Sequence, residues 1–311
     1  MLRYTIKRLL QLIPTLLAVS MIIFFSIRLI PGDPISLMYG LSEAGGVDPA
    51  FIEQMREQYG LNDPLITQYF RYMGNIIFHG DLGTSIVTKK PIMDELMNRY
   101  QYTIVLALGG TLFGSIIGIA VGIISAVFHN KAADNFLMAF SMIAVSMPSF
   151  FLGMILMLVF SLNLGLLPSV GMKGVKYAIL PVATLGLYAV GLIARTTRSS
   201  MLDVVNQDYI RTARSRGVSK TKIYLSHAFR NALIPILTAI GLRFGILLVG
   251  SSIVETVFTI PGLGRFMIDG ISHRDYPVIQ STMLVFATTF VLVNTLVDLL
   301  YGFVDPRVKY D

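Results

Sequence analysis

The sequence predicts an all-α integral membrane protein with six transmembrane helices and both termini cytoplasmic. Three observations lead there. Hydrophobic residues make up 54% of the 311-residue chain and charged residues only 14%, where a soluble domain carries roughly 25% charged residues. Six apolar runs are long enough to cross a hydrocarbon core about 30 Å thick at about 1.5 Å of rise per residue. The basic residues, finally, gather on alternate connections between those runs.

The same composition excludes several kinds of chemistry. Cysteine is absent, so the chain has no disulfide framework, no thiolate metal site and no cysteine nucleophile. The net charge of +7 is spread among apolar runs, not along a soluble basic surface, so no nucleic-acid partner is expected. No GxxxxGK[ST] loop occurs, so the chain is not expected to bind ATP or to be an enzyme. The four histidines, His79, His129, His227 and His273, lack the close spacing of a helical zinc motif, and no metal site is expected.

The first run, Leu9 to Phe25, follows Arg3, Lys7 and Arg8, as a secretory signal would. It continues past the small residues Ala18 and Ser20 without a break, which favours an uncleaved helix ending near Ile30. The other five runs are Tyr102 to Phe128, Phe136 to Leu162, Tyr177 to Ala194, Ile234 to Phe258 and Ile279 to Phe303. On one side lie Arg3, Lys7, Arg8, Lys131, eight basic residues between Arg195 and Arg230, Arg307 and Lys309; the short loops opposite hold only Lys173, Lys176, Arg265 and Arg274. The positive-inside rule makes the richer side cytoplasmic.

The expected organisation is therefore a first helix and long extracytoplasmic loop over residues 1–100, a five-helix core over 101–303 containing a cytoplasmic loop at 195–233, and a tail at 304–311. The outer stretch from Pro31 to Tyr100 holds nine of the 18 acidic residues and an expected helix from Pro49 to Tyr59. A connector of that length has structure or a partner of its own.

Gly110, Gly114, Gly118 and Gly122 recur every fourth residue in the second run. At 3.6 residues per turn they form a slowly drifting stripe without side chains, on which another helix can pack closely. Gly241 and Gly245 repeat the spacing in the fifth run. Four ionisable residues fall within the runs: Arg28, Glu255 and Asp298 close to helix ends, where snorkelling or interfacial water lowers their cost, and Arg243 nearer the middle. Arg243 is expected either to line or border a water-filled pathway, or to pair with a carboxylate or backbone carbonyls inside the bundle.

The loop SSMLDVVNQDYIRTARSRGVSKTKIYLSHAFRNAL, Ser199 to Leu233, is the most informative segment. Asp208 is expected to cap a short helix that Gly217 ends in a left-handed conformation. Ser219 is expected to cap a second helix running through His227 and Arg230 toward Pro235. Two short helices with a sharp turn, continuous with a membrane helix, can carry a push from a docked partner into the bundle.

Asp208-Tyr209-Ile-Arg211-Thr212-Ala213-Arg-Ser-Arg-Gly217, followed by HAFRNALIP, resembles the coupling loop of binding-protein-dependent ABC importers. It is similar in particular to the B-type permease subunit of the dipeptide, oligopeptide, nickel and glutathione systems. The wider superfamily has Glu-Ala-Ala, three residues and Gly; aligned on Gly217 those positions are Arg211, Thr212 and Ala213, the form of the peptide branch. The resemblance extends through RLIPGDP at Arg28–Pro34, GDLGTS at Gly80–Ser85, PSFFLG at Pro148–Gly153, ILPV at Ile179–Val182, ETVF at Glu255–Phe258, PGLGR at Pro261–Arg265, RDYPV at Arg274–Val278 and DPR at Asp305–Arg307. It implies a type I importer permease fold and four kinds of partner. These are a homologous second permease, two cytoplasmic ATPases that use the ATP, an extracytoplasmic solute-binding protein, and the bilayer. The solute it implies is a di- or oligopeptide first, then glutathione or chelated nickel. A self-contained secondary transporter or channel would instead show inverted repeats or a midplane ionisable cluster.

Overall fold

The computed structural model of the chain describes residues 2–29, 49–58 and 60–304. The Pro31–Pro34 motif, the acidic stretch Ser42–Asp48 and the Asp305–Arg307 motif lie outside the described residues. Among the described residues the chain is helical and has no strand, only an isolated antiparallel bridge between Thr84 and Pro91.

The elements are α1 (Leu2–Arg28), α2 (Pro49–Gln58), α3 (Leu65–Gly74), α4 (Ile92–Val127), α5 (Ala132–Ser146), α6 (Ser149–Leu156), α7 (Val175–Val205), α8 (Asp208–Ser215), the single turn α9 (Lys220–Lys222), α10 (Phe229–Val257), α11 (Leu263–Ser272) and α12 (Tyr276–Val304). Short π-helical segments continue α3, α6 and α9. Among the described residues five helices are long and apolar enough to cross a membrane, the fourth of them running unbroken from Lys220 to Val257.

The third apolar run departs from a simple span. It is broken into α5 and α6, which meet at 103°. Pro148 is the cause: it lacks the N–H a helix interior needs, and its ring pushes the preceding residue out of the helical region. Met147 accordingly sits at φ −90°, ψ 144°, and Pro148 at φ −58°, ψ 137°. The pair makes a sixth crossing only if counted as one bent span.

The glycine stripe of α4 lies against α7. A Cβ on Gly110 would stand 2.9 Å from the Leu185 Cβ, on Gly114 2.6 Å from the Ala189 Cβ, on Gly118 2.9 Å from the Ile193 Cβ and on Gly122 2.5 Å from the Thr197 Cβ. Both series advance by four, so the two helices run parallel in register, with backbones at a distance that only hydrogen at Cα permits. Gly241 and Gly245 of α10 make room instead for side chains of α12, Val297 and Phe290, on a helix that runs antiparallel to α10.

Three buried apolar clusters follow one another along the bundle. One joins Leu82 and the start of α4 to α11 and α12; the second, around Leu106, Leu185 and Leu247, lies between α4, α7 and α10. The third joins the ends of α4 and α7 to Ala228, Ala232 and Ile236, beneath α8. Helix α1 stands at the side, meeting α12 through Ile23, Ile27 and Tyr276 and through the Arg8–Asp298 pair at 2.9 Å.

Candidate coupling site

Helix α7 ends in the third cluster, at Met201 and Val205, and the chain turns at Asn206–Gln207 into α8. The N-cap is Gln207, at φ −72°, ψ 151°, whose carbonyl accepts from the N–H of Ile210 and of Arg211. Asp208 therefore occupies the first helical turn and not the cap expected from its side chain. There its carboxylate faces the positive end of the helix dipole and stands 3.8 Å from Arg211. Ile210 is fully buried and pins α8 to the bundle. Tyr209 is held by Asn231 of α10, whose amide donates to the phenol oxygen at 3.0 Å. Partial burial raises the Tyr209 phenol above its ordinary pKa, and the Asn231 bond opposes that shift. Thr212 donates back to the Asp208 carbonyl at 3.1 Å, and Ala213 is half-buried.

Gly217 ends α8 at φ +77°. The N–H of Val218 donates to the Ala213 carbonyl at 3.2 Å and that of Gly217 to the Arg214 carbonyl at 2.9 Å. This pair of bonds is the Schellman closure, which requires a left-handed residue. No atom lies within 4 Å of a Cβ built on Gly217, so the site selects glycine by backbone conformation and not by crowding. Ser219 is the N-cap of α9 at φ −61°, ψ 147°, without a side-chain cap bond. The chain then runs through a π-helical turn, Ile223–Ala228, straight into α10. Ile223 and Ala228 are buried, while Arg211, Arg214, Arg216, Lys220, Lys222 and Arg230 are all exposed. The result is a basic knuckle fused to one long helix and seated on the ends of two others.

Beside it, Asp134 is 1% exposed and receives Arg198 of α7 at 2.7 and 2.8 Å, the N–H of Asn130 at 2.9 Å, and the hydroxyl of Ser125. Read from sequence, Arg198 is one basic residue among eight in its loop. In the structure it clamps the α4–α5 turn to α7, a role invisible to local pattern because 64 positions separate the partners.

At the opposite end of the bundle the expectation for Glu255 is overturned. Its side chain does not reach interfacial water: it is 0% exposed. Its carboxylate instead accepts from the hydroxyls of Thr103 at 2.7 Å and Ser251 at 3.0 Å, and from the N–H of Arg265 at 2.9 Å. The last bond places the charge at the N-terminus of α11, where unpaired N–H groups and the helix dipole receive an anion. The PGLGR motif is shaped to this contact, since a Cβ on Gly262 would stand 2.4 Å from the Glu255 Cδ and one on Gly264 2.2 Å from the Ser252 Oγ. Asp275 makes a second latch. It is 2% exposed and accepts from Ser85 Oγ and from the N–H groups of Ile86 and Val87, at 3.3 and 3.2 Å. The RDYPV and GDLGTS motifs thus meet across the end of the bundle.

Arg243 is 6% exposed; one Nη donates to the Tyr188 carbonyl at 2.7 Å, and its guanidinium carbon lies 4.4 Å from the centre of the Tyr188 ring. Its Nε is buried without a hydrogen-bond partner. Among the described residues no carboxylate forms a salt bridge with it.

This arrangement defines a class: a helical membrane protein with a basic helix-turn-helix knuckle at one end of its spans. Solved structures of ABC transporters share the fold. A chain of the MetNI methionine ABC transporter in an inward-facing conformation aligns at TM-score 0.61 and 19% identity over 70% of this chain and 99% of its own. A chain of an amino acid ABC transporter solved with histidines aligns at TM-score 0.54 and 16% identity over 67% and 92%. Residues 118–310 match the binding-protein-dependent transport system inner membrane component family, and residues 1–107 its N-terminal companion. The glutathione transport system permease protein GsiC of Escherichia coli strain K12 is 46% identical over 310 residues, the whole of both chains, and that of Salmonella paratyphi A is 45% identical over the same span. The chain belongs to the binding-protein-dependent transport system inner membrane component family and is a membrane permease subunit of an ABC importer.

Proposed function

We propose that this permease forms half of a translocation pathway for small peptides, glutathione among them, and that its knuckle receives the movement of a cytoplasmic ATPase. The carrying observation is mechanical. Gly217 fixes the angle between α8 and α9, and α9 continues without a break into α10, so a displacement of the knuckle is a displacement of a 38-residue helix through the bundle. The exposed basic residues of the knuckle offer a docking face to a complementary acidic surface. Solute class rests on the relatives, whose glutathione permeases are alike over their full length. A homologous second permease, two ATPases and a solute-binding protein complete the assembly, and ATP is bound and hydrolysed by the ATPases.

This reading needs the knuckle and both termini in the cytoplasm. The cysteine-free sequence is a ready background for testing that. With intact cells, an impermeant maleimide is expected to label Gly171→Cys and to leave Ser219→Cys unlabelled; labelling of Ser219→Cys from outside removes the coupling role.

Arg243 borders the pathway in this proposal, its buried charge held in reserve by the Tyr188 carbonyl. Arg243→Leu is expected to accumulate and to copurify with the ATPase while uptake falls. Failure to assemble would assign Arg243 to bundle structure alone.

A further inference from the structure

A cavity of about 400 Å³ lies between the end of α1, helices α2 and α3, the 82–86 segment and the start of α12. That is within the range of small-ligand sites, and it belongs to neither the knuckle nor the glycine-packed core. Arg28 stands on its wall. Arg28 Nε donates to Gln68 Oε1 at 3.3 Å and Nη1 to Gln280 Oε1 at 3.2 Å, and the guanidinium covers the Phe24 ring at 4.5 Å. All three partners are neutral. Among the described residues no carboxylate pairs with it, and its second Nη has no hydrogen-bond partner.

The neighbours are built around that charge. The Gln68 amide donates to the carbonyls of Leu61 at 3.1 Å and Asp63 at 2.8 Å, which commits its oxygen to Arg28. The hydroxyl of Tyr72, on the same wall, is buried beside the side chains of Gln280 and Ser281. The other charged side chains on the wall are Arg71, neutralised by Asp63 at 2.7 Å, and Glu57. Leu82, Ile86 and Tyr276 supply an apolar face.

A guanidinium fork with free N–H groups, next to a buried phenol hydroxyl, calls for oxygen acceptors carrying negative charge. We infer that this cavity binds a small molecule with a single oxyanion head, a carboxylate or a phosphodiester, through Arg28 and Tyr72. Two sources share that chemistry: the C-terminal carboxylate of a peptide solute and the head group of an anionic lipid. The solute arm rests on the proposed function; the oxyanion site itself does not.

The test uses the complete transporter, purified in detergent and stripped of lipid, with ligand retention read by native mass spectrometry. The probes are dialanine against its C-terminal amide, and dioleoylphosphatidylglycerol against dioleoylglycerol. The wild-type complex is expected to prefer one oxyanion probe over its uncharged counterpart by roughly tenfold or more, the usual value of a charge-assisted pair. Arg28→Gln is expected to abolish that preference, Arg28→Lys to keep part of it, and Tyr72→Phe to weaken it several-fold. A preference for dialanine makes the cavity a solute subsite, and a preference for the phosphodiester a lipid site. No preference in the wild type, or an undiminished one in Arg28→Gln, overturns the inference. If Arg28→Gln does not accumulate, Tyr72→Phe decides, an unchanged preference there being contrary. ATPase copurification, followed in parallel, reports on the transporter reading separately.

Discussion

Replacing Gly114 by Leu is expected to remove most of the folded chain from the membrane. The Cβ alone would stand 2.6 Å from the Ala189 Cβ and 2.7 Å from the Gly186 carbonyl oxygen, and the second of these is backbone that cannot rotate away. Overfilling a packed contact costs about 1–3 kcal/mol even where side chains can adjust. Here α4 and α7 would have to separate, and with them the contacts at Gly110, Gly118 and Gly122. Gly250→Ala is the control. It lies in α10 with no atom within 4 Å of its Cβ position, so it should accumulate as the wild type does, stabilised if anything by a better helix former. Membrane abundance and gel filtration in mild detergent read both variants. Normal accumulation of a monodisperse Gly114→Leu chain would mean that the glycine stripe does not set the α4–α7 distance.

Gly217→Val is expected to leave abundance unchanged and to abolish uptake. Because nothing crowds the position, the cost is the left-handed backbone alone, about 1–2 kcal/mol for a residue with Cβ and more when it is β-branched. That is small for a bundle with three buried clusters. It is large for the Schellman turn, whose two bonds fix the direction in which α9 leaves α8. The variant should either release its ATPase or let it hydrolyse ATP without transport. Gly217→Asn should retain part of the uptake, since Asn tolerates this conformation better than other residues. Full uptake by Gly217→Val would take the knuckle out of the mechanism.

What could be read in advance and what could not divide along physical lines. Apolar runs announce membrane helices because length and composition are local. The Gly217 turn is equally local, one residue and its own backbone. Asp208 lies one position inside the helix it was expected to cap, because the side-chain type does not fix where the backbone turns helical, and that turn places the cap at Gln207. Pro148 carried the break in the third run, but the surrounding hydropathy outweighed a single residue. The Glu255, Asp275 and Asp134 latches were beyond reach. Glu255 finds Thr103 across 152 positions and Asp275 finds Ser85 across 190, and no periodicity links such partners. The motifs PGLGR and GDLGTS were visible as resemblance, and their reason became clear only when Gly262 was seen to make room for a buried carboxylate.

In the proposed function this chain is a conduit driven from outside itself. Its most direct test is uptake into proteoliposomes containing the permease pair and the ATPases, with ATP and the solute-binding protein added or withheld. Labelled glutathione or dipeptide is expected to accumulate only when both are present, and an imposed ion gradient is expected not to replace ATP. Accumulation driven by an ion gradient, with neither ATP nor binding protein, would contradict it and make the chain a self-contained transporter.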